Sequence, residues 1–198
     1  MNADTDRRTT APAADAQAGD GTAVILQAAS VLLSYPAEGG EDDLEVVAAA
    51  MAESRSTPAR RHLERFLAWY RRLDGGERER AYVATFDLGA RHSLYLTEAG
   101  PRTSRERGAA LLELRRAYRR AGLDVRTSEL PDYVPLMLEA AALAPACREL
   151  LAGRRTELRR LARGLERDGS LFASVVEAVL AVTPAGDRRG SEEGRDER

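Results

Sequence analysis

The stretch Thr22-Ala23-Val24-Ile25-Leu26-Gln27-Ala28-Ala29-Ser30-Val31-Leu32-Leu33-Ser34-Tyr35-Pro36 decides the fold class. Val24, Ala28, Val31, Leu32 and Tyr35 fall at i, i+4, i+7, i+8 and i+11, the stripe of a helix that turns one face to a core. Pro36 ends it, because proline cannot continue the hydrogen-bond ladder. The same period returns along the chain. Leu44, Val47, Ala48 and Met51 repeat it, and Glu41, Asp42, Asp43 and Glu45 on the other face suit the positive end of a helix dipole. Thr57-Pro58 supplies an N-cap and an N1 proline for a third helix carrying Leu63, Phe66, Leu67, Tyr70 and Leu73, which Gly75-Gly76 is expected to break. A fourth is expected from Glu77 to about Leu88, with Tyr82 and Phe86 stacked at i, i+4 and Gly89 as a stop.

The second half follows the same grammar. Thr103 and Glu106 form a capping box for a fifth helix, which turns Ala110, Leu111, Leu114, Ala117 and Tyr118 inward and Arg115, Arg116, Arg119 and Arg120 outward until Gly122. After a linker from Leu123 to Leu130, Asp132 is expected to cap a sixth helix, with Pro135 at N3 and Met137, Leu138 and Ala141 at helical spacing from Val134. A seventh, over about 146–167, is expected to bury Leu151, Leu158, Leu161 and Leu165 and to expose Arg154, Arg155, Arg159, Arg160 and Arg163. An eighth carries Leu171, Val175, Ala178, Val179 and Val182. The expected fold is therefore all-α, a single-domain bundle of about seven to eight helices. Residues 1–20 and 184–198 lack apolar periodicity and read as a disordered arm and a disordered charged tail. The helical domain then spans 21–183, a size that buries roughly 70% of its unfolded surface without a metal or disulfide.

Composition narrows the function classes. Among 198 residues there are 35 Ala and 25 Leu but one Ile, so helix formers dominate. All 30 basic residues are arginine and stand against 32 acids; a net charge of -2 gives no overall field towards nucleic acid or a membrane. Residues 36–54 hold six carboxylates and no arginine, a polarity suited to protein partners. Cys147 is the only cysteine, which excludes an intramolecular disulfide and a Cys-rich zinc site. Arg7-Arg8 is not followed by the apolar run of an export signal, and no window approaches the ~18 apolar residues of a membrane span. A soluble, cytoplasmic protein is expected, without direct membrane insertion. His62 sits among Arg60, Arg61 and Glu64, and Cys147 with two distant histidines makes no metal site. With no phosphate-cradling glycine loop, nucleophile elbow or His-Glu-x-x-His, neither enzyme activity nor a cofactor is expected.

Two segments break the rules of a plain bundle, and such places are where function concentrates. One is Tyr82-Val83-Ala84-Thr85-Phe86-Asp87-Leu88-Gly89-Ala90-Arg91-His92-Ser93-Leu94-Tyr95-Leu96-Thr97, and the other is Glu129-Leu130-Pro131-Asp132-Tyr133-Val134-Pro135. Both place carboxylates, tyrosines and aliphatics near helix ends. As plain structure, Asp132 caps a helix, Asp87 faces water, and Tyr95 and Leu96 plug the core. As a binding surface, Tyr82, Phe86, Tyr95, Leu96, Tyr133 and Leu136 wall an apolar groove around Pro131, and Asp87, Glu129 and Asp132 edge it to pair with arginines or N–H donors of a bound peptide.

These segments, with Leu32-Leu33-Ser34-Tyr35-Pro36, resemble the NarJ-type nitrate reductase assembly chaperones, within the TorD/DmsD-type group of redox-enzyme maturation chaperones. The likeness covers about residues 24–182. Where the family's pattern has histidine after Pro-Asp, this chain has Tyr133, so no role of that imidazole transfers. The resemblance implies a TorD-like helical chaperone that is not an enzyme. Its implied partner is the apo catalytic subunit of a molybdenum-dependent nitrate reductase, including the N-terminal segment. That subunit would be held for molybdenum cofactor insertion before membrane docking, with cofactor delivery proteins as further partners. The rival reading is a general helical adaptor or nucleic-acid binder acting through the arginine faces of the fifth and seventh helices, which steep salt dependence would reveal. A nucleotide-hydrolysing role finds no phosphate loop to support it.

Overall fold

The helix-forming composition is realised as nine α-helices among the residues that the computed structural model describes, 21–36, 41–53, 57–88, 92–98 and 103–185. They are α1 (Gly21–Leu33), α2 (Glu41–Glu53), α3 (Pro58–Tyr70), α4 (Gly75–Phe86), α5 (Ser104–Arg120), α6 (Val134–Leu143), α7 (Arg148–Ala152), α8 (Arg155–Arg167) and α9 (Phe172–Val182). Short 3-10 turns occupy Leu96–Glu98 and Pro145–Cys147. The described residues contain no strand, only an isolated antiparallel bridge between Tyr95 and Tyr133. Both expected tails, residues 1–20 and 186–198 of them, and the Gly89 stop lie outside the described residues.

The core is organised around α9. Phe172, Ala173, Ser174, Val175, Val176, Ala178, Val179 and Leu180 are all buried, as befits a helix that is apolar on every side. It packs against α3, α8 and α1, and α1 packs in turn on α6. Phe172 is the hub, its ring centroid 5.0 Å from those of Phe66 and Phe86 and 6.1–6.2 Å from those of Trp69, Tyr70 and Tyr82. These aromatics tie α3, α4 and α9 together through edge and tilted contacts. The one-sided stripe expected for the last helix omitted Phe172, although the unbroken apolar run around it signals full burial.

Several expected boundaries shift for identifiable reasons. Since α1 lies between α6 and α9, it buries Ile25, Leu26, Ala28, Ala29, Leu32 and Leu33, while Val24 and Val31 of the expected stripe sit at its margin. Tyr35 lies beyond the helix end and is 50% exposed. Gly75-Gly76 do not break the chain but open α4, because Asp74 and Glu77 form a capping box on either side of them and satisfy orphan N–H groups of the first turn. The expected seventh helix is two helices, with a break at Gly153 and Arg154. That break sets α8 on its own axis and lets Arg155, expected to be exposed, donate to the carbonyls of Leu180 and Thr183 at the end of α9. The fifth helix ends as expected: Gly122 takes φ +80, and the N–H groups of Gly122 and Leu123 close on the carbonyls of Arg119 and Tyr118.

Candidate functional site

The two anomalous segments meet. The Leu96 N–H donates to the Asp132 carbonyl at 3.2 Å, and the Val134 N–H donates to the Leu94 carbonyl at 2.8 Å, which makes the Tyr95–Tyr133 bridge. Asp132 is fully buried, and its Oδ2 accepts from the Thr97 N–H (2.9 Å) and the Thr97 hydroxyl (2.6 Å). It therefore does not cap α6: Tyr133 takes that position without a side-chain bond, and Pro135 stands in the first turn. The carboxylate is drawn instead to the 3-10 turn at Leu96–Glu98, where the N–H and the hydroxyl of Thr97 both donate to it. From beneath, the Tyr118 hydroxyl of α5 donates to the Pro131 carbonyl at 2.7 Å. One Oδ of Asp132 has no partner among the described residues.

On this frame sits a chain of tyrosines. Tyr35 meets Tyr82 edge-on at 5.4 Å, the hydroxyls of Tyr82 and Tyr133 lie 3.3 Å apart, and the rings of Tyr133 and Tyr95 lie 5.3 Å apart. The Tyr95 hydroxyl donates to Glu129. Four of the six tyrosines of the chain thus form one contiguous cluster. Burial raises the pKa of Tyr82, Tyr95 and Tyr133; the Tyr82–Tyr133 bond raises Tyr82 further and lowers Tyr133. Glu129, bonded to Tyr95, raises it further. Asp87, exposed at the C-cap of α4, adds to the upward shift of Tyr82 and Tyr133, which places its charge beside the same cluster.

The structure divides the expected site residues by access. Asp87 and Glu129 are exposed, and Phe86, Tyr95 and Tyr133 are half-buried. Tyr82, Leu96, Pro131 and Asp132 are buried: Tyr82 is held by four neighbouring rings, and Leu96 belongs to the core. Leu136 faces a separate depression of about 310 Å³ beside Leu123 and Val125. Tyr82, Tyr95 and Tyr133 thus form a packed aromatic face with Glu129 and Asp87 at its edge. Tyr35 joins it unforeseen, although Pro36 carried the signal, since a residue before proline is disfavoured in helical geometry. A distinct apolar depression of about 390 Å³ lies between α1, α2 and the end of α6, where Val24, Val31, Val47 and the exposed Val46 and Leu143 converge. Among the described residues no cluster of three or more His, Cys, Asp or Glu could hold a metal, and no helix is long and apolar enough to cross a membrane.

The described residues thus form an all-α bundle that carries an aromatic, acid-edged face. The family model described as nitrate reductase delta subunit matches residues 52–167, and the chain belongs to that family, the one that holds the NarJ-type assembly chaperones. Over 173 residues it is 34% identical to the probable nitrate reductase molybdenum cofactor assembly chaperone NarJ of Bacillus subtilis, covering 86% of this chain and 94% of that protein. It is 34% identical over 124 residues to the nitrate reductase molybdenum cofactor assembly chaperone NarJ of Escherichia coli, covering 62% of this chain and 52% of that protein. Over 176 residues it is 34% identical to the nitrate reductase-like protein NarX of Mycobacterium tuberculosis, 88% of this chain but 26% of the relative.

Proposed function

We propose that this protein is a cytoplasmic, system-specific chaperone that binds the apo catalytic subunit of a respiratory nitrate reductase, including its N-terminal segment. In this role it supports molybdenum cofactor insertion and assembly before the complex docks at the membrane. The match along nearly the whole of the Bacillus subtilis assembly chaperone carries the reading. The tyrosine cluster supports it: Tyr35, Tyr95 and Tyr133 offer accessible ring surface, and Glu129 and Asp87 stand at the edge. Rings of this kind bury much area at little loss of side-chain freedom, and the carboxylates orient a peptide through its arginines or N–H groups. The depression between α1, α2 and α6 offers a second docking face, favoured by the exposure of Val46 (68%) and Leu143 (65%).

Titration calorimetry with the N-terminal peptide of the catalytic subunit, and co-purification with the apo subunit, test the proposal. Tyr35→Ser and Glu129→Gln are expected to weaken binding about tenfold each, as removal of an interface anchor does. Absence of both peptide binding and a complex refutes it. Loss of binding in Val46→Asp, with Tyr35→Ser and Glu129→Gln unchanged, moves the docking face to the depression between α1 and α2.

A further inference from the structure

Among the described residues α5 is the longest helix, yet it buries only Leu114 and Tyr118. Its hold on the tyrosine cluster is polar and comes from two points on one face. Arg107 and Tyr118 stand eleven residues apart, three turns and about 16 Å along the helix axis. At one point the Tyr118 hydroxyl donates to the Pro131 carbonyl at 2.7 Å, in the segment that carries Tyr133. At the other, Arg107 donates through Nε to the Thr97 hydroxyl oxygen at 3.2 Å and through an Nη to Glu98 Oε1 at 2.9 Å, in the segment that carries Tyr95. From Glu98 the hold runs on to Tyr95: the second Glu98 oxygen accepts from the Ser93 hydroxyl at 2.6 Å, and the Ser93 oxygen accepts the Tyr95 N–H at 3.0 Å. From Thr97 it runs to Asp132, which accepts the Thr97 hydroxyl at 2.6 Å. A planar guanidinium can address two acceptors at once in this way, and its charge strengthens each bond.

We infer that Arg107 is a positioning residue for client docking, which sets Tyr95 against Tyr133 and Glu129 by fixing the Ser93–Glu98 loop. The inference rests on the reading of the tyrosine face as a docking face. Tyr95 and Tyr133 are joined along the backbone by one isolated bridge, too short a pairing to hold a loop in place by itself. The 35° tilt of the two rings and the Tyr95 bond to Glu129 therefore depend on the side chains that tie the loop down. Without Arg107 the loop gains freedom, and a client must supply the ordering at the moment it binds, which weakens affinity. Stability depends on Arg107 much less. The side chains of Arg107 and Glu98 are 33% and 41% exposed, and ion pairs so open to water add little to folding.

The test combines titration calorimetry with the N-terminal peptide of the catalytic subunit, thermal melting, and alkaline titration of tyrosinate absorbance, all on the full chain. Arg107→Gln is expected to bind the peptide about tenfold more weakly while Tm stays within about 3 °C of the parent. Arg107→Lys keeps a charge on Glu98 and is expected to bind within about threefold of the parent, and Arg115→Gln, exposed on α5, to bind as the parent does. The absorbance reads Tyr95 without a client. Its bond to Glu129 holds the Tyr95 proton above the ordinary value of 10.0, so Arg107→Gln should ionise one tyrosine more than the parent near that pH, and Arg107→Gln/Tyr95→Phe should not. Glu98→Gln is expected to act as Arg107→Gln does and decides if that variant fails to fold. Unchanged peptide affinity or a titration like the parent's overturns the inference. So does a fall in Tm that releases all the tyrosines together, since Arg107 then serves folding alone. If the parent binds neither peptide nor apo subunit, the docking reading fails and takes the role of Arg107 with it, whereas an unchanged titration overturns the inference whatever the client does.

Discussion

Asp132→Ala separates a structural carboxylate from a client-binding one. In the fold the Asp132 side chain is fully buried, and one oxygen receives both the N–H and the hydroxyl of Thr97. Alanine leaves that buried N–H without its partner, while the Thr97 hydroxyl keeps only its role as acceptor for Arg107 at 3.2 Å. An orphaned buried donor costs about 1–3 kcal/mol, and hydrogen bonds to a charged group are worth about 1.5–3 kcal/mol each. Against this loss, the mutation also removes a buried charge with one unpartnered oxygen, which returns part of the desolvation penalty. We expect a net loss of about 2–4 kcal/mol, and at about 2–4 °C per kcal/mol for a domain of this size, a fall in Tm of roughly 5–15 °C. Asp132→Asn keeps an acceptor for Thr97 and should fall by less than half as much. Calorimetric melting of the three proteins is the assay. A Tm for Asp132→Ala within about 2 °C of the parent, with a loss of client affinity, refutes the structural assignment and restores Asp132 to the binding surface.

Three further outcomes follow from particular contacts. Gly164→Ala sets a Cβ 3.0 Å from two ring atoms of His92, which is buried and donates through Nε2 to Asp168 at 2.8 Å. The helix propensity gain of about 1 kcal/mol is outweighed by overpacking of about 1–3 kcal/mol, so urea denaturation should show a less stable variant, and a more stable one refutes the contact. Burial raises the pKa of the Cys147 thiol, so it should resist a thiol reagent in the native protein and react at once in denaturant; equal rates contradict its burial. Burial also pushes Tyr70 up to about 12 from 10.0 and raises Tyr82, Tyr95 and Tyr118. The folded state then holds these protons more tightly than the unfolded chain. This contribution is whole below about pH 10 and drains away as pH rises towards 12 and beyond, where the unfolded chain ionises first. Denaturation midpoints followed with tyrosinate absorbance should show that loss, and constant stability through the range contradicts it.

Local chemistry was readable where it acts over one turn. Thr57 with Pro58, Thr103 with Glu106, and Gly122 are caps whose partners lie within a few residues, and all three stand where the pattern places them. Asp74 with Glu77 carries the same signal, obscured by the two glycines between them. What periodicity misjudged was how many sides of a helix are covered. Val24 and Val31 fit a single stripe, but α1 is flanked by α6 and α9, so Ile25, Ala29 and Leu33 are buried as well. At the candidate site, residue types and neighbourhoods were legible while access was not. Tyr95 and Tyr133 do pair and Glu129 does join them, yet Tyr82 and Leu96 are inside, and Leu136 turns to another depression.

The amino-acid order alone determined an all-helical chain, the chemistry of several helix ends and a kinship with assembly chaperones, because each of these rests on short-range spacing or on a string of residues. Only the tertiary structure decided that Asp132 binds Thr97 instead of capping α6 and that Tyr35 leaves the core to join Tyr82. These pairings span separations of 35 and 47 residues. A buried carboxylate takes whichever donors the packing brings within about 3 Å, and packing is a property of the whole chain.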